Sequence, residues 1–459
     1  MAEKPRQFDI IIIGGGTAGL KAALDCTKRK LKVAMIDPGT LGGTCLNTGC
    51  IPSKAMLHAS HLFKQLHSLG QFGISVQDPK VDFQKLMGRV QGMVEHGQQN
   101  IAFSIKNSYL AIFKEKASFA GKNAVRAGKE LLVSEHILIC TGSRNRELPI
   151  KGLETIRHFT NENMSTMGTL PKSVILVGGG YISMEYATFF NELGSKVTVV
   201  EMMPQILGML DEDVAKGYLE ICEKDGIIVK TNTKVVEVKE KAIRKIAIVE
   251  DLKTKKTGSI EAEEIVVAVG RVPNTETLNL GSAGIKVGPH GGIVVNEFML
   301  TSNPHVYAVG DVTGEVMFAH SATREAHIAL ENMLDNKKLK ANNDLVPWVA
   351  FTDPPISGIG WSEKEAKERK IPYGVWKANF ARAGRTRIME ESSGFAKLMV
   401  NKKNSNIIGA VLVGTRSDDL IHEIAAIMNS ASPTLETLQK TIHVHPTVSE
   451  VFEALREMQ

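Results

Sequence analysis

The chain of 459 residues is 43% hydrophobic and 23% charged, which is typical of a globular protein of roughly two to four domains. Its net charge of +5 is spread along the sequence, so no basic patch predicts nucleic-acid binding. The longest apolar runs, at 10–13 and 265–269, are far shorter than the ~20 residues of a membrane helix. Residues 1–7 have no features of a signal or transit peptide, so we expect a cytoplasmic protein without a membrane span.

The first predicted element is a βαβ unit. An apolar run at 8–13 precedes glycines Gly14, Gly16 and Gly19, and a helical stretch and a second apolar run follow, ending at Asp37. In such units the glycines permit a tight turn, close approach of a pyrophosphate and close helix packing, and the phosphates lie at the helix N-terminus. The final acid accepts hydrogen bonds from a ribose hydroxyl. One such fingerprint alone is a weak signal.

The next segment contains two cysteines, Cys45 and Cys50. On a regular helix their Cα atoms would be at least ~7.5 Å apart, beyond the usual disulfide range, so we expect a distorted helix, which Gly49 and Pro52 permit. A thiolate near a helix N-terminus is stabilised by the helix dipole, as a thiol nucleophile requires. A metal half-site or two inert core cysteines are the alternatives. We expect no metal site, because the remaining cysteines are isolated: Cys26, Cys140 and Cys222.

A second βαβ unit repeats the spacing of the first. Gly178 and Gly180 follow an apolar run at 173–177, and Glu201 lies 21 residues after Gly180, as Asp37 lies 21 residues after Gly16. Two glycine-rich turns in an ordinary α/β fold would not account for the matched acids, so the sequence predicts two dinucleotide-binding units. Ser183 replaces the usual third Gly or Ala, which predicts a slightly wider contact between helix and strand.

Together these segments resemble the class I pyridine nucleotide-disulfide oxidoreductases, and among them the dihydrolipoyl dehydrogenases. The resemblance covers essentially the whole chain and includes further motifs at 140–142, 270–274, 307–311, 352–354, 379–383 and 443–450. It implies an α/β fold with two Rossmann-like domains, for FAD and NAD, and a C-terminal α+β dimerisation domain. The implied boundaries are 1–147 for the first part of the FAD domain, 148–270 for the NAD domain, 271–344 for the second, central part of the FAD domain and 345–459 for the dimerisation domain.

The resemblance also implies which residues hold the cofactors. FAD is expected in the first unit, with Asp37 on the adenosine ribose and Asp311 near the ribityl and phosphate portion. NAD is expected in the second, because Met202, Met203 and Pro204 follow Glu201 where NADPH-dependent relatives have arginines. The implied FAD residues are Gly14, Gly16, Gly19, Asp37, Thr44, Lys54, Thr141, Gly142, Asp311 and Ala319, and the implied NAD residues are Gly178, Gly180, Glu201 and Gly270.

The same resemblance implies catalytic roles. Cys50 is the charge-transfer thiolate next to the flavin, and Cys45 is the interchange thiol that forms a mixed disulfide with substrate. Lys54 lies near the flavin N5 edge, and Glu185 is its ion-pair partner. In the family the base, here His445, comes from the neighbouring subunit of a homodimer. Glu450 orients this base, and nearby His443 is expected to be structural.

The implied reaction oxidises dihydrolipoamide to lipoamide with NAD⁺, on a free or protein-bound lipoyl dithiol, and membership of a 2-oxo acid dehydrogenase complex is left open. Four related families differ from this sequence. Mercuric reductases and large thioredoxin reductases have an additional C-terminal redox pair, and glutathione reductases have NADPH-binding arginines, neither of which is found here. Soluble transhydrogenases lack one active cysteine, whereas both cysteines are present here. A reductase for another small disulfide or a mercuric-reductase-like substrate, or an electron-carrier subunit, remains as an alternative. A bulkier or more acidic disulfide is indicated by departures at Thr48, Met317, Phe318 and Arg324.

Overall fold

The computed structural model describes residues 4–458 and contains two α/β units, each built on a parallel sheet, followed by a C-terminal antiparallel sheet. This architecture confirms the predicted fold class. Among the described residues, no helix is both long and apolar enough to cross a membrane. The predicted domain boundaries remain predictions.

The first unit is a five-stranded parallel sheet whose central strand, Ile10–Ile13, is buried at all four positions. Four consecutive isoleucines suit a strand that is covered on both faces. Helices Thr17–Lys28 and Ala319–Asp335 pack against each other beside it. In spatial order the strands are Val306–Ala308, Ile137–Ile139, Ile10–Ile13, Val33–Ile36 and Leu110–Phe113.

A smaller sheet adjoins the first unit, and two helices between the strands Val33–Ile36 and Leu110–Phe113 of that unit pack against the second unit. The small sheet has the order Arg6–Gln7, Glu130–Val133, Ala124–Ala127 and Ala117–Phe119. The two helices are Cys50–Ser68 and Phe83–Ser104, which pack against each other. The short helix Gly43–Asn47 precedes them.

The second unit repeats the parallel βαβ arrangement. Its strands lie in the order Ile228–Lys230, Lys196–Val200, Ser173–Val177 and Glu264–Val267, and its helices are Tyr181–Glu192 and Glu212–Lys224. A three-stranded antiparallel sheet follows, made of Thr233–Lys241, Arg244–Asp251 and Thr257–Ala262. The ladder of Ser143–Asn145 with Arg271–Pro273 joins the two units.

Positive and negative side chains alternate between residues 235 and 264, and most of this stretch is exposed or half-buried sheet and turn. One face is nevertheless buried, through Val235, Val238 and Ala247. Lys245 is also buried, and its ammonium pairs with Glu264. Alternating exposure is expected of an antiparallel sheet with one face on a core.

The C-terminal region is a six-stranded antiparallel sheet with its own hydrophobic core. Its strands lie in the order Trp348–Ala350, Ile356–Gly360, Ile407–Val413, Phe395–Asn401, Tyr373–Asn379 and Arg456–Glu457. Its helices are Glu363–Glu368, Gly384–Ile388, Ser417–Met428 and Leu435–Lys440.

Candidate active site

The cysteine segment is two helices rather than one. The first helix ends at Asn47, and the second begins at Cys50, with Gly49 between them. A Cβ at Gly49 would lie 2.9 Å from the carbonyl oxygen of Thr44, so only glycine fits this close approach. The interruption brings the two cysteines together: both are thiols, and their side chains are hydrogen-bonded.

The pKa values of the two thiols are shifted in opposite directions. The pKa of Cys50 is lowered to about 7, chiefly by the hydrogen bond with Cys45. Burial acts in the opposite direction, and the positive charge of Lys54 lowers the pKa further. The pKa of Cys45 is raised far above its usual range, because its thiol is hydrogen-bonded to Cys50 and is partly buried. The pair therefore holds one negative charge near neutral pH, on Cys50, with Cys45 as the hydrogen-bond donor.

An ion pair holds the neighbouring lysine in place. The Nζ of Lys54 lies 2.7 Å from Oε2 of Glu185, whose side chain is 4% exposed. The backbone N–H of Phe351 donates to the other oxygen of Glu185 at 3.0 Å, and the Phe351 ring lies 4.7 Å from the ammonium. Glu185 thus connects the second unit to a lysine on helix Cys50–Ser68.

We predict that Lys54→Met raises the pKa of Cys50 above the wild-type value of about 7, because a nearby cation favours the thiolate. Glu185→Gln should lower it, since the Glu185 charge opposes ionisation of Cys50. The measurement is the rate of Cys50 alkylation by iodoacetamide in the reduced protein as a function of pH, read by peptide mass spectrometry. Equal midpoints in the two variants would contradict this electrostatic account.

A cavity of about 710 Å³ runs between the first glycine turn and the cysteines. Asp37 lines one part of it, and Cys45 and Cys50 line another. Its volume lies within the usual range for ligand sites. Most of the other predicted FAD residues also line it: Gly14, Gly16, Thr44, Lys54, Thr141, Gly142, Asp311 and Ala319.

The glycine turn of the first unit is as tight as its sequence predicts. Gly14 has φ +112°, and a Cβ there would lie 2.3 Å from the carbonyl oxygen of Cys140. A Cβ at Gly19 would lie 1.9 Å from the carbonyl oxygen of Gly14. The Asp37 carboxylate accepts hydrogen bonds from the amides of Gly15 and Gly39, at 2.5 and 2.7 Å. The acid is thereby fixed beside the turn.

The second glycine turn has the same construction with a looser helix contact. Gly178 has φ +105°, Gly180 is the N-cap of helix Tyr181–Glu192, and Glu201 accepts a hydrogen bond from the Gly179 amide. Ser183 is fully buried, and its hydroxyl has no hydrogen-bond partner in the described part of the chain. Because Ser183 has a Cβ where Gly19 has no room for one, the contact is wider here.

Two residues that the sequence analysis did not single out also line the cavity. Arg271 donates to the hydroxyl of Ser143 at 2.7 Å, and that hydroxyl donates to Asp311 at 2.5 Å. Tyr181 is the first residue of its helix and also lines the cavity. The sequence signal for Arg271 was the motif at 270–274, in which Gly270 has φ +99° and directly precedes the arginine that begins the connecting ladder.

The predicted base lies outside this cavity in its own chain. His445 is 78% exposed, and its Nδ1 lies 2.6 Å from Oε1 of Glu450. The other oxygen of Glu450 accepts the amide of Thr447 at 2.8 Å. His443, by contrast, is 5% exposed and contacts Glu423 and Glu453 at 2.8 and 3.1 Å. The exposed ring of His445 is available to another subunit, whereas His443 is held within its own.

Family models decide the classification. Residues 8–326 match the model described as pyridine nucleotide-disulphide oxidoreductase, and residues 346–456 match the dimerisation domain of the same family. The chain belongs to the pyridine nucleotide-disulfide oxidoreductase family. As expected for this family, it is a flavin-dependent disulfide oxidoreductase that uses FAD and NAD(H), and it has a dimerisation domain.

Curated relatives cover almost the full length of this oxidoreductase. Dihydrolipoyl dehydrogenase of Bacillus subtilis is 34% identical over 457 residues, which are 97% of both chains. Dihydrolipoyl dehydrogenase of Vibrio cholerae is 32% identical over 97% of this chain and 94% of its own. Among solved structures, the HOCl-induced flavoprotein disulfide reductase RclA from Escherichia coli, in its Cu(II) complex, is 26% identical, with a TM-score of 0.86 and 98% of both chains covered.

Proposed function

We propose that the enzyme oxidises dihydrolipoamide to lipoamide with NAD⁺. The observation that carries this proposal is the Cys45 and Cys50 pair, which lines the same cavity as Asp37 and has its charge on Cys50. The full-length similarity to dihydrolipoyl dehydrogenases supports the choice of dithiol.

The proposed chemistry begins with the cysteines joined as a disulfide. A substrate thiolate attacks Sγ of Cys45 and releases Cys50 as a thiolate, which its lowered pKa and Lys54 favour. The second substrate thiol then attacks the substrate sulfur of this mixed disulfide and releases Cys45. Two electrons and two protons leave the dithiol, and His445 takes a proton from the attacking thiol.

The cofactor sites are proposed from the residues that line the cavity and from the second glycine turn. Asp37, Asp311 and Lys54 line the cavity and would hold FAD, and Gly178, Gly180 and Glu201 in the second unit would hold NAD. When bound, FAD would supply a two-electron acceptor for the cysteines and a hydride donor for NAD⁺. The N-termini of helices Thr17–Lys28 and Tyr181–Glu192 would hold the pyrophosphates, and Lys54 supplies a positive charge beside the cysteines.

The proposal includes a homodimer in which His445 of the partner subunit serves the cysteine pair. The exposed ring of His445, held by Glu450, and its absence from the cavity lining among residues 4–458 support this arrangement. The lipoyl group is proposed to be free or carried by a 2-oxo acid dehydrogenase complex, and the cytoplasm is the proposed location.

The similarity to RclA, a flavoprotein disulfide reductase, favours a second candidate, a reductase of another small disulfide. A mercuric-reductase-like substrate is the further alternative from the sequence. We expect purified FAD-loaded enzyme to reduce NAD⁺ with dihydrolipoamide at least about tenfold faster than with reduced glutathione, because a positioned dithiol closes its own disulfide. NADH oxidation by mercuric or cupric ion, measured in parallel, should be slower than by lipoamide. The reverse order would favour the second candidate.

A further inference from the structure

A second charged pair lies two helical turns beyond Lys54 and Glu185. Helices Cys50–Ser68 and Tyr181–Glu192 pack together, and His61 and Glu192 each lie seven residues after Lys54 and Glu185. Seven residues are about two turns, so the second pair lies on the same faces as the first. The Nδ1 of His61 is 3.5 Å from Oε1 of Glu192.

A third ligand atom completes the group. Oδ2 of Asp353 lies 3.7 Å from the same Nδ1 of His61, and the three atoms all lie within 4.8 Å of one another. A tetrahedral ion with bonds of about 2.1 Å has ligands about 3.4 Å apart. The two distances from His61 are therefore within a few tenths of an ångström of those that a bound ion needs.

Glu192 provides an independent indication of a ligand. Its side chain is 2% exposed, and Oε1 has no hydrogen-bond partner within residues 4–458. The other oxygen accepts the hydroxyl of Ser60 at 2.5 Å. A buried carboxylate oxygen without a donor is unfavourable, and this oxygen lies 3.5 Å from Nδ1 of His61. A cation between the two residues would satisfy it.

The neighbouring cation, Lys64, does not depend on Asp353 alone for an acidic partner. Lys64 contacts Oδ2 of Asp353 at 2.7 Å, but it also contacts Asp225 at 2.9 Å, so it retains a partner when Asp353 binds an ion. The nearby carboxylates of Glu192 and Asp353 raise the pKa of His61, so a proton on His61 competes with a bound ion. The other acid whose charge acts on His61 is Glu391.

We propose that His61, Glu192 and Asp353 form a binding site for a divalent cation such as Zn²⁺. One imidazole nitrogen and two carboxylate oxygens are three protein ligands of the type that zinc accepts. The group lines a cavity of about 1000 Å³, which leaves space for a water as the fourth ligand. Ser60 would orient Glu192 from outside the coordination sphere.

The ion would link three segments of the fold. His61 belongs to helix Cys50–Ser68, Glu192 ends helix Tyr181–Glu192 of the second unit, and Asp353 lies between the first two strands of the C-terminal sheet. Phe351, two residues before Asp353, donates its amide to Glu185. A cation at this site would therefore stabilise the packing that also supports the ion pair of Lys54.

The test is calorimetric titration of Zn²⁺ into metal-free, FAD-loaded protein at mildly alkaline pH. The protein is first oxidised, so that the sulfurs of Cys45 and Cys50 are joined and provide no thiolate. We expect one Zn²⁺ per chain and a rise in melting temperature. His61→Gln and Glu192→Gln should each weaken binding at least about tenfold, because loss of even an orienting partner weakens metal binding about 10- to 100-fold.

His58→Gln is the matched control. His58 is an exposed histidine on the same helix and lines the same cavity, so its variant should bind Zn²⁺ like the wild type. Two results would overturn the proposal: the absence of one-to-one binding in the wild type, or unchanged binding in both His61→Gln and Glu192→Gln. Retained FAD absorbance verifies folding of each variant, and Asp353→Asn replaces any variant that loses it.

Discussion

Replacing Cys45 by serine should reduce dihydrolipoamide-dependent NAD⁺ reduction at least about a thousandfold, because no disulfide can then form to accept the substrate's electrons. FAD should remain bound, since the first glycine turn is built without this sulfur. The pKa of Cys50 should stay near its value of about 7, because the serine hydroxyl can still donate the hydrogen bond that is the main cause of the lowering. The measurements are steady-state turnover, flavin absorbance and the pH dependence of Cys50 alkylation.

Cys222→Ala is the matched control for the loss of Cys45. Cys222 is buried in the core of the second unit, and burial raises its pKa to about 12, so it provides no thiolate near neutral pH. Its replacement should leave turnover within about twofold of wild type, because it removes a sulfur from packing alone. Substantial turnover by Cys45→Ser would exclude the proposed disulfide from the reaction.

The parts of the site that sequence predicts are those set by local backbone geometry. Gly14 and Gly178 each adopt a positive φ beside a carbonyl that leaves no room for a side chain, so the same residue pattern produces the same turn twice. Gly49 is a similar case, because its close approach to Thr44 interrupts the helix where the cysteine spacing requires an interruption. The carbonyls at Gly14 and Gly178 belong to the distant residues Cys140 and Ala268, but the glycine spacing lies within a few residues, and a single sequence displays it.

Two contacts between segments that lie far apart in the chain were not predicted from the sequence. Arg271 reaches Asp311 through Ser143, across more than a hundred residues of chain. His61 and Asp353 approach each other only because three separate segments pack together. Neither arrangement has a short motif, and side-chain packing between segments depends on the whole fold. The role of His445 is a further case, since it depends on a second copy of the chain.

His445→Gln should lower lipoamide turnover by about 100- to 10,000-fold, the usual contribution of a positioned general base. Flavin content and the reduction of bound FAD by NADH should be unchanged, since neither requires the proton of a thiol substrate. Glutamine keeps much of the side-chain volume but cannot exchange a proton near neutral pH.

His443→Gln is the control for this variant. His443 is 5% exposed and contacts Glu423 and Glu453. Its loss should therefore lower the melting temperature and leave most of the turnover intact. His445 is 78% exposed, so its replacement should leave the melting temperature nearly unchanged. A larger turnover defect in His443→Gln than in His445→Gln would assign the base to the other histidine.

A hybrid dimer tests which subunit supplies the base. One subunit carries Cys45→Ser, the other carries His445→Gln, and differently tagged copies are coexpressed and purified through both tags. If each base serves the cysteines of the other chain, one of the two sites retains both native groups, and the hybrid should have about half of wild-type activity. If each base serves its own chain, both sites are defective and the hybrid should be as inactive as its parents. The exposed position of His445, outside the cavity of its own chain, leads us to expect the first result.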